Sequence, residues 1–194
     1  MNNNFYILRH GQTEYQEGKN SFIYPWDESI TTIGLSSQGE KQIRKRSAEI
    51  KSLRIDFIYT SDFKRTKETA GIVAKVIGLD KENLFFDSKL RDINLGVYHG
   101  KLKEKFYNDF PDFLTDFNQK PEKGESLGEV RERIMEVVSR IDQAHKGKNI
   151  LIISHGEPLW LLENTIKNLT DEEFLDRKRA KNNYIQTGEL RKLN

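Results

Sequence analysis

Two stretches far apart in the chain carry nearly the same message: Tyr6-Ile7-Leu8-Arg9-His10-Gly11-Gln12 near the start, and Leu151-Ile152-Ile153-Ser154-His155-Gly156-Glu157 much later. Each is an apolar run that stops at a histidine followed by glycine. Runs of this length, unbroken by polar alternation, read as strands buried on both faces of a sheet. Both histidines then fall at strand carboxyl ends. Open α/β sheets place their ligand sites there, so distant segments can deliver two imidazoles to one cleft.

The remaining residues alternate helix and strand signals. Glu14 to Gly34 is polar with scattered aromatics (Phe22, Tyr24, Trp26) and reads as a long loop. Ser37-Gln38-Gly39-Glu40 has the spacing of a capping box before an apolar face of Ile43, Ile50 and Leu53. Phe57 to Thr60 reads as a second strand, and Ser61-Asp62 as the cap of a helix using Ala70, Val73 and Ile77 and ending at Gly78. Leu84-Phe85-Phe86 is a third, short strand. Phe106, Phe110, Phe113, Leu114 and Phe117 recur at helical spacing broken by Pro111, and core packing is their plainest reading. Ser126 to Glu129 forms another capping box, opening a helix that runs to about His145. Pro158 suits the first turn of a helix after the second histidine strand, and a last strand is expected near Tyr184 to Thr187. Strands alternating with helices argue a largely parallel sheet covered on both faces, in a single domain spanning residues 1–194.

Composition removes several function classes. Lys plus Arg is 32 against 30 for Asp plus Glu, and a net charge of +2 argues against a nucleic-acid or membrane partner. Arg44-Lys45-Arg46 and Arg177-Lys178-Arg179 read as solvated helical faces. With no cysteine there is no thiolate nucleophile, disulfide framework or Cys-built zinc site, which fits a reducing cytoplasm. Met1-Asn2-Asn3-Asn4 has no positive leader, and nothing approaches the ~18 apolar residues of a membrane span. A soluble cytoplasmic protein is the expectation.

Four polar clusters share one address, the exit of an expected strand: Arg9-His10, the Ser61 to Arg65 turn, Arg91-Asp92 and His155-Gly156. Arginine forks match phosphate oxygens, and backbone N–H groups at the helix start after His155 add donors. Neighbouring positive charge also disfavours imidazolium, leaving a ring nitrogen free to attack near neutral pH. Such a pocket suits a phosphoryl group. A metal is not expected: no His-x-His or His-Glu-x-x-His spacing is present, and the arginines would repel the ion. Gly96 to Lys101 imitates a phosphate loop but is one residue short and lacks Ser or Thr after the lysine. His99 and His145 are read as structural. Glu125-Ser126 is read as a site rim or a simple helix cap.

These residues resemble the histidine phosphatase superfamily, the phosphoglycerate mutase-like family, in its broad phosphatase branch. The resemblance lies in Arg9-His10-Gly11 with Thr13, in Thr60-Ser61-Asp62 with Arg65-Thr66 and Thr69-Ala70, in Leu90 to Gly96 with Gly100, in Gly124-Glu125-Ser126 and in Ser154-His155-Gly156. It spans nearly the whole chain in order and spacing. It implies a three-layer α/β/α sandwich and a metal-independent, cofactor-free phosphohistidine mechanism on a small phosphorylated substrate. His10 would be the nucleophile, with Arg9, Arg65 and His155 as the phosphate pocket and Gly156 supplying a backbone donor. Asp92 stands where most relatives carry a glutamate general acid, and Gln16 where many carry a phosphate-binding asparagine. The segment from Gly100 to Gly124 is short for a phosphoglycerate mutase, which favours a histidine acid phosphatase-type monoester hydrolase. A mutase and a non-catalytic phosphate-binding module remain as alternatives. Residues 14–34 and 101–123 are the candidate lid segments. Substrate identity and oligomeric state stay open, a homodimer included.

Overall fold

Period-two patterning inside the histidine strands divides their side chains between opposite faces of one sheet. The computed structural model describes residues 1–18, 21–170, 172–174, 176 and 184–194. Its strands are β1 (Asn4–Arg9), β2 (Phe57–Thr60), β3 (Leu84–Phe86), β4 (Asn149–Ser154) and β5 (Leu190–Lys192), arranged in the order β3-β2-β4-β1-β5. β1, β2, β3 and β4 run parallel, with Ile7 opposite Ile152 and Leu8 opposite Ile153. Among the described strands only β5 is antiparallel, pairing Leu190 with Leu8. The two histidine strands are therefore neighbours, and their carboxyl ends lie side by side.

Helices cover both faces. They are α1 (Glu14–Glu17), α2 (Trp26–Thr31), α3 (Ser37–Lys51), α4 (Lys64–Ile77), α5 (Lys103–Asp109), α6 (Leu127–Ala144) and α7 (Gly156–Ile166). Phe5, Ile7, Ile150 and Ile152 pack with Ile134, Val137 and Ile141 of α6 and Leu159 and Leu162 of α7. Leu8, Ile58, Leu151 and Ile153 face the other way, onto Ile43 and Ile50 of α3 and Ala70 and Val73 of α4. This is the α/β/α sandwich the sequence implied. A third apolar cluster lies outside these layers, where Ile23, Ile93, Phe106, Phe113 and Phe117 meet Leu127, Val130, Trp160 and Leu161.

Several local expectations shift. The cap of α3 is Ser36, whose Oγ accepts from the Gly39 amide, one residue before the expected box. Ser61 and Asp62 do not cap α4, which begins after Phe63, because both side chains have other partners described below. The Glu14 to Gly34 stretch contains two short helices, the first capped by a Thr13–Gln16 box. The last strand lies at Leu190–Lys192 rather than 184–187. Tyr184 and Ile185 are apolar for different reasons: Ile185 joins the core beneath the sheet, while Tyr184 lines a cavity. Gly188, at φ +67, then turns the chain back toward β1. The expected capping box on α6, from Ser126 to Glu129, is present. Arg44 and Lys45 are exposed on α3, whereas Arg177-Lys178-Arg179 lies outside the described residues.

One glycine ties this scaffold to the turn after β1. A Cβ on Gly39, in the first turn of α3, would lie 2.0 Å from the Gln12 carbonyl oxygen, and one on Gly11 would lie 2.8 Å from the Gly39 carbonyl oxygen. The two backbones are in direct contact. In an exposed helix interior Gly→Ala is favourable by about 1 kcal/mol. Here overpacking outweighs that gain, and Gly39→Ala should destabilise the protein by about 1–3 kcal/mol. A lower urea midpoint is the expected result, and a stabilised variant would refute the contact.

Candidate active site

The carboxyl ends of β1, β2 and β4 place three of the four polar clusters in one depression. Arg91-Asp92 joins them from a loop that follows β3 by way of a short 3-10 turn at Ser88–Leu90. That loop is clamped in place. Arg133 of α6 donates to the carbonyls of Lys89, Arg91 and Asp92 at 2.6–2.9 Å and pairs with Glu125, while Ser154 Oγ donates to the Leu90 carbonyl at 2.7 Å. Arg91 is held by a two-pronged pair with Asp62 at 2.5–2.6 Å. Glu125 thus supports the loop, also accepting from the Asn94 amide, and does not line the cavity.

His10 and His155 are both buried, at 2% and 0% exposure, with ring centroids 5.2 Å apart and planes inclined by 61°. Their tautomers follow from their partners. His10 Nδ1 lies 2.7 Å from the Gly11 carbonyl oxygen, and a carbonyl can only accept, so Nδ1 carries the proton and Nε2 keeps its lone pair. Arg65 Nε donates to His155 Nδ1 at 3.3 Å, leaving the proton on Nε2, which donates to Ser61 Oγ at 2.9 Å. Burial first, and then Arg65, pushes both imidazoles well below their ordinary value, with Arg9 adding to the effect. Both rings are neutral at physiological pH.

The guanidinium groups supply the positive charge. Arg65 is 1% exposed and sits between the faces of Tyr24 and Phe63, at 4.7 and 4.8 Å. Its Nη2 approaches Asp92 at 3.5 Å. Arg9 donates through Nη1 to the Ile185 carbonyl at 2.9 Å and lies 5.4 Å from the Tyr184 ring. Arg9 Nε and Arg65 Nη1 are buried donors without a protein acceptor. Such groups cost free energy unless an acceptor arrives, and an anionic tetrahedral oxygen cluster matches both.

Asp92 accepts from the Ile93 amide at 3.0 Å, and its Oδ2 lies 3.8 Å from His155 Nδ1. Burial, followed by the nearby Glu157 carboxylate, raises its pKa from 3.8 to about 6, against the opposing pull of Arg65 and Arg9. The folded protein therefore binds this proton more tightly than the unfolded chain. The contribution of Asp92 to stability is fully present below about 4 and is lost as pH rises to about 6.

All seven residues singled out from the sequence gather here, though not equally. Gln16 lines the cavity, but its Oε1 is engaged by the Thr13 amide at 3.1 Å, so only its NH2 group is left for a ligand. Gly156 opens α7 where a Cβ would lie 2.0 Å from the Tyr184 hydroxyl, so close packing alone demands glycine. His99, read as structural, does line the cavity wall while bridging the Tyr24 carbonyl at 2.7 Å and the Leu95 amide at 2.9 Å. His145 is remote, bonding Tyr59 at 2.9 Å. Tyr24, Ser61, Glu157 and Tyr184 were not foreseen as site members. Ser61 had a signal, its position at a strand exit; the others become neighbours only in three dimensions.

Arg9, Arg65 and Asp92 line one end of a cavity of about 480 Å³ that neither His10 nor His155 lines directly, walled largely by Tyr15, Tyr24, Trp26, Phe106, Tyr107 and Tyr184. Its roof draws on both candidate lid segments. They are joined by a bridge between Phe22 and Leu102, with Ile23 donating to the Lys101 carbonyl at 2.8 Å and Lys103 to that of Ser21 at 2.8 Å.

Comparison with known proteins agrees with this geometry. Curated relatives described as probable phosphoglycerate mutase GpmB, from Escherichia coli strains, are 27% identical over 169 residues, covering 84% of this chain and 74% of theirs. Among solved structures, mycobacterial glucosyl-3-phosphoglycerate phosphatase in complex with VO3 shares the fold with a TM-score of 0.79 at 21% identity, over 96% of this chain and 88% of its own. Bacillus stearothermophilus YhfR gives 0.77 at 24% identity, over 97% and 89%. The α-ribazole phosphatase from Shigella flexneri gives 0.76 at 18% identity, over 96% and 88%. The family model described as histidine phosphatase superfamily (branch 1) matches residues 5–187, a span that takes in both histidine strands and every residue of the site, and the chain belongs to that superfamily.

Proposed function

We propose that this protein is a metal-independent phosphomonoesterase that hydrolyses small phosphorylated metabolites through a phosphohistidine on His10. The observation that carries this reading is the bare Nε2 of His10, fixed by the Nδ1–H bond to the Gly11 carbonyl beside two guanidinium groups with unused donors. The Nε2 lone pair attacks phosphorus, and the ester oxygen leaves as the bond to it breaks. Arg9 and Arg65 hold the equatorial oxygens and stabilise their charge in the transition state, and His155 joins them on exchanging Ser61 Oγ for a phosphate oxygen as the acceptor of its Nε2–H. Asp92, protonated up to about pH 6, gives its proton to the departing oxygen and then takes one from the water that cleaves the phosphorus–nitrogen bond. Phosphate dianion in the pocket adds like charge and holds that proton to higher pH.

Hydrolysis rather than mutase transfer is supported by the access of water. Phe22, Leu102 and Tyr107 of the two candidate lid segments are 45–50% exposed, and the Gly100 to Gly124 stretch is short beside the longer insertion that helps a mutase retain its intermediate. Two further assignments belong to the same reading: a cytoplasmic location, consistent with the finding that no described helix is long and apolar enough to cross a membrane, and action without a nucleic-acid or membrane partner.

His10→Ala should abolish hydrolysis of p-nitrophenyl phosphate, with EDTA having no effect on the unmodified protein. Rapid quench should trap an acid-labile phosphoryl adduct that His10→Ala lacks. Activity surviving the substitution, or dying with chelator, would remove the mechanism. The Asp92 proton gives a pH signature as well. Because the acid form is the working one, kcat/KM for an alkyl phosphate should fall about tenfold per pH unit above about 6. The substrate's own second ionisation, near ~6, forms the dianion over the same range and gives the rising limb of the profile. Asp92→Asn should therefore keep the rise and lose the fall. The same substitution should slow alkyl phosphates far more than p-nitrophenyl phosphate, whose leaving group needs no proton. Equal losses on both substrates would take the acid role from Asp92.

A further inference from the structure

The cavity holds a second carboxylate that the phosphohistidine chemistry leaves without a task. Glu157, in the first turn of α7, lines the cavity and accepts a hydrogen bond from the Tyr184 hydroxyl. Among the described residues no lysine, arginine or histidine forms an ion pair with it. The lysine and arginine residues that line the cavity are Arg9 and Arg65, both near the imidazoles, and the exposed Lys103. Glu157 is close enough to Asp92, Tyr107 and Tyr184 to push all three toward their protonated forms. Among the described residues, a negative charge thus lines an aromatic cavity without a paired cation.

From this arrangement we infer that Glu157 selects the organic part of the substrate, and that the preferred phosphomonoester carries a cationic nitrogen a few bonds beyond its ester oxygen. This inference rests on the phosphate end proposed above. The spacing follows from order along the cleft. Phosphate sits on Arg9 and Arg65, the ester oxygen meets Asp92, and the next atoms of the leaving group come beside Glu157. Trp26, Tyr107 and Tyr184 line the same space. Aromatic faces and one carboxylate together form the kind of cage that receives substituted ammonium groups. A cavity of about 480 Å³ is also far larger than a phosphate alone requires, so the leaving group contributes much of the contact. A cation there also relieves the repulsion between Glu157 and Asp92.

Two esters of the same shape separate charge from size: phosphocholine, and 3,3-dimethylbutyl phosphate, in which carbon replaces the quaternary nitrogen. Their affinities are measured by calorimetry on full-length His10→Ala protein, where turnover does not interfere. Phosphocholine should bind at least about tenfold more tightly. Adding Glu157→Gln should bring the ratio close to one, while Glu157→Asp, which keeps the charge, should retain part of it. Equal binding of the two esters, including no binding of either, would overturn the inference. So would a ratio that survives Glu157→Gln in a variant whose circular dichroism shows it folded. Turnover of p-nitrophenyl phosphate by the unmodified protein reports on the phosphatase reading separately, so the two ideas can fail independently.

Discussion

A buried guanidinium organises the carboxyl end of this sheet. Arg65 is almost wholly enclosed, and a charge taken out of water costs several kcal/mol unless its surroundings answer it. The answer comes from four separate parts of the chain. Tyr24 stacks on it from the first lid segment, Phe63 from its own turn, Asp92 faces it from the clamped loop, and His155 accepts its Nε proton from the end of β4. Its Nη1 has no acceptor among the described residues. Ligand affinity and the geometry of the fold thus share a single side chain.

Neutral imidazoles are the counterpart of that charge. A protonated His10 or His155 would add a further cation to a site already holding Arg9 and Arg65, and burial and repulsion together prevent it. In the mechanism proposed above, the nucleophile then needs no base to unmask it. That mechanism gives proton handling to Asp92, whose carboxyl is raised by burial and by Glu157 while the arginines pull it down. Groups of opposite sign are displaced in opposite directions within one cleft, the pattern expected where one site needs both a nucleophile and an acid.

The fold and the polar cluster were largely legible in the sequence because both depend on local patterning. Aliphatic runs ending in His-Gly can hardly be anything but buried strands, and the capping box at Ser126 announces α6 without tertiary help. The errors share a cause. Ser61 and Asp62 carry cap-like side chains but are drawn away by His155 and Arg91, and Tyr184 and Ile185 look like a strand because a cavity and a core each want them apolar. In each case a distant partner overrode a local preference.

The sequence by itself determined which elements form and that two imidazoles end neighbouring strands, since burial of aliphatic runs and the direction of a parallel sheet leave little choice. Only the tertiary structure decided what surrounds them: the protonation of each ring nitrogen, the stacking of Tyr24 on Arg65, the clamp of Arg133 on the Asp92 loop, and Glu157 facing aromatic walls. The physical reason is range. Helix and strand signals act over a few residues, whereas most of these hydrogen-bond partners and electric fields are set by groups far apart in the chain that meet only when the sheet has closed, the Gly11 carbonyl beside His10 being a local exception.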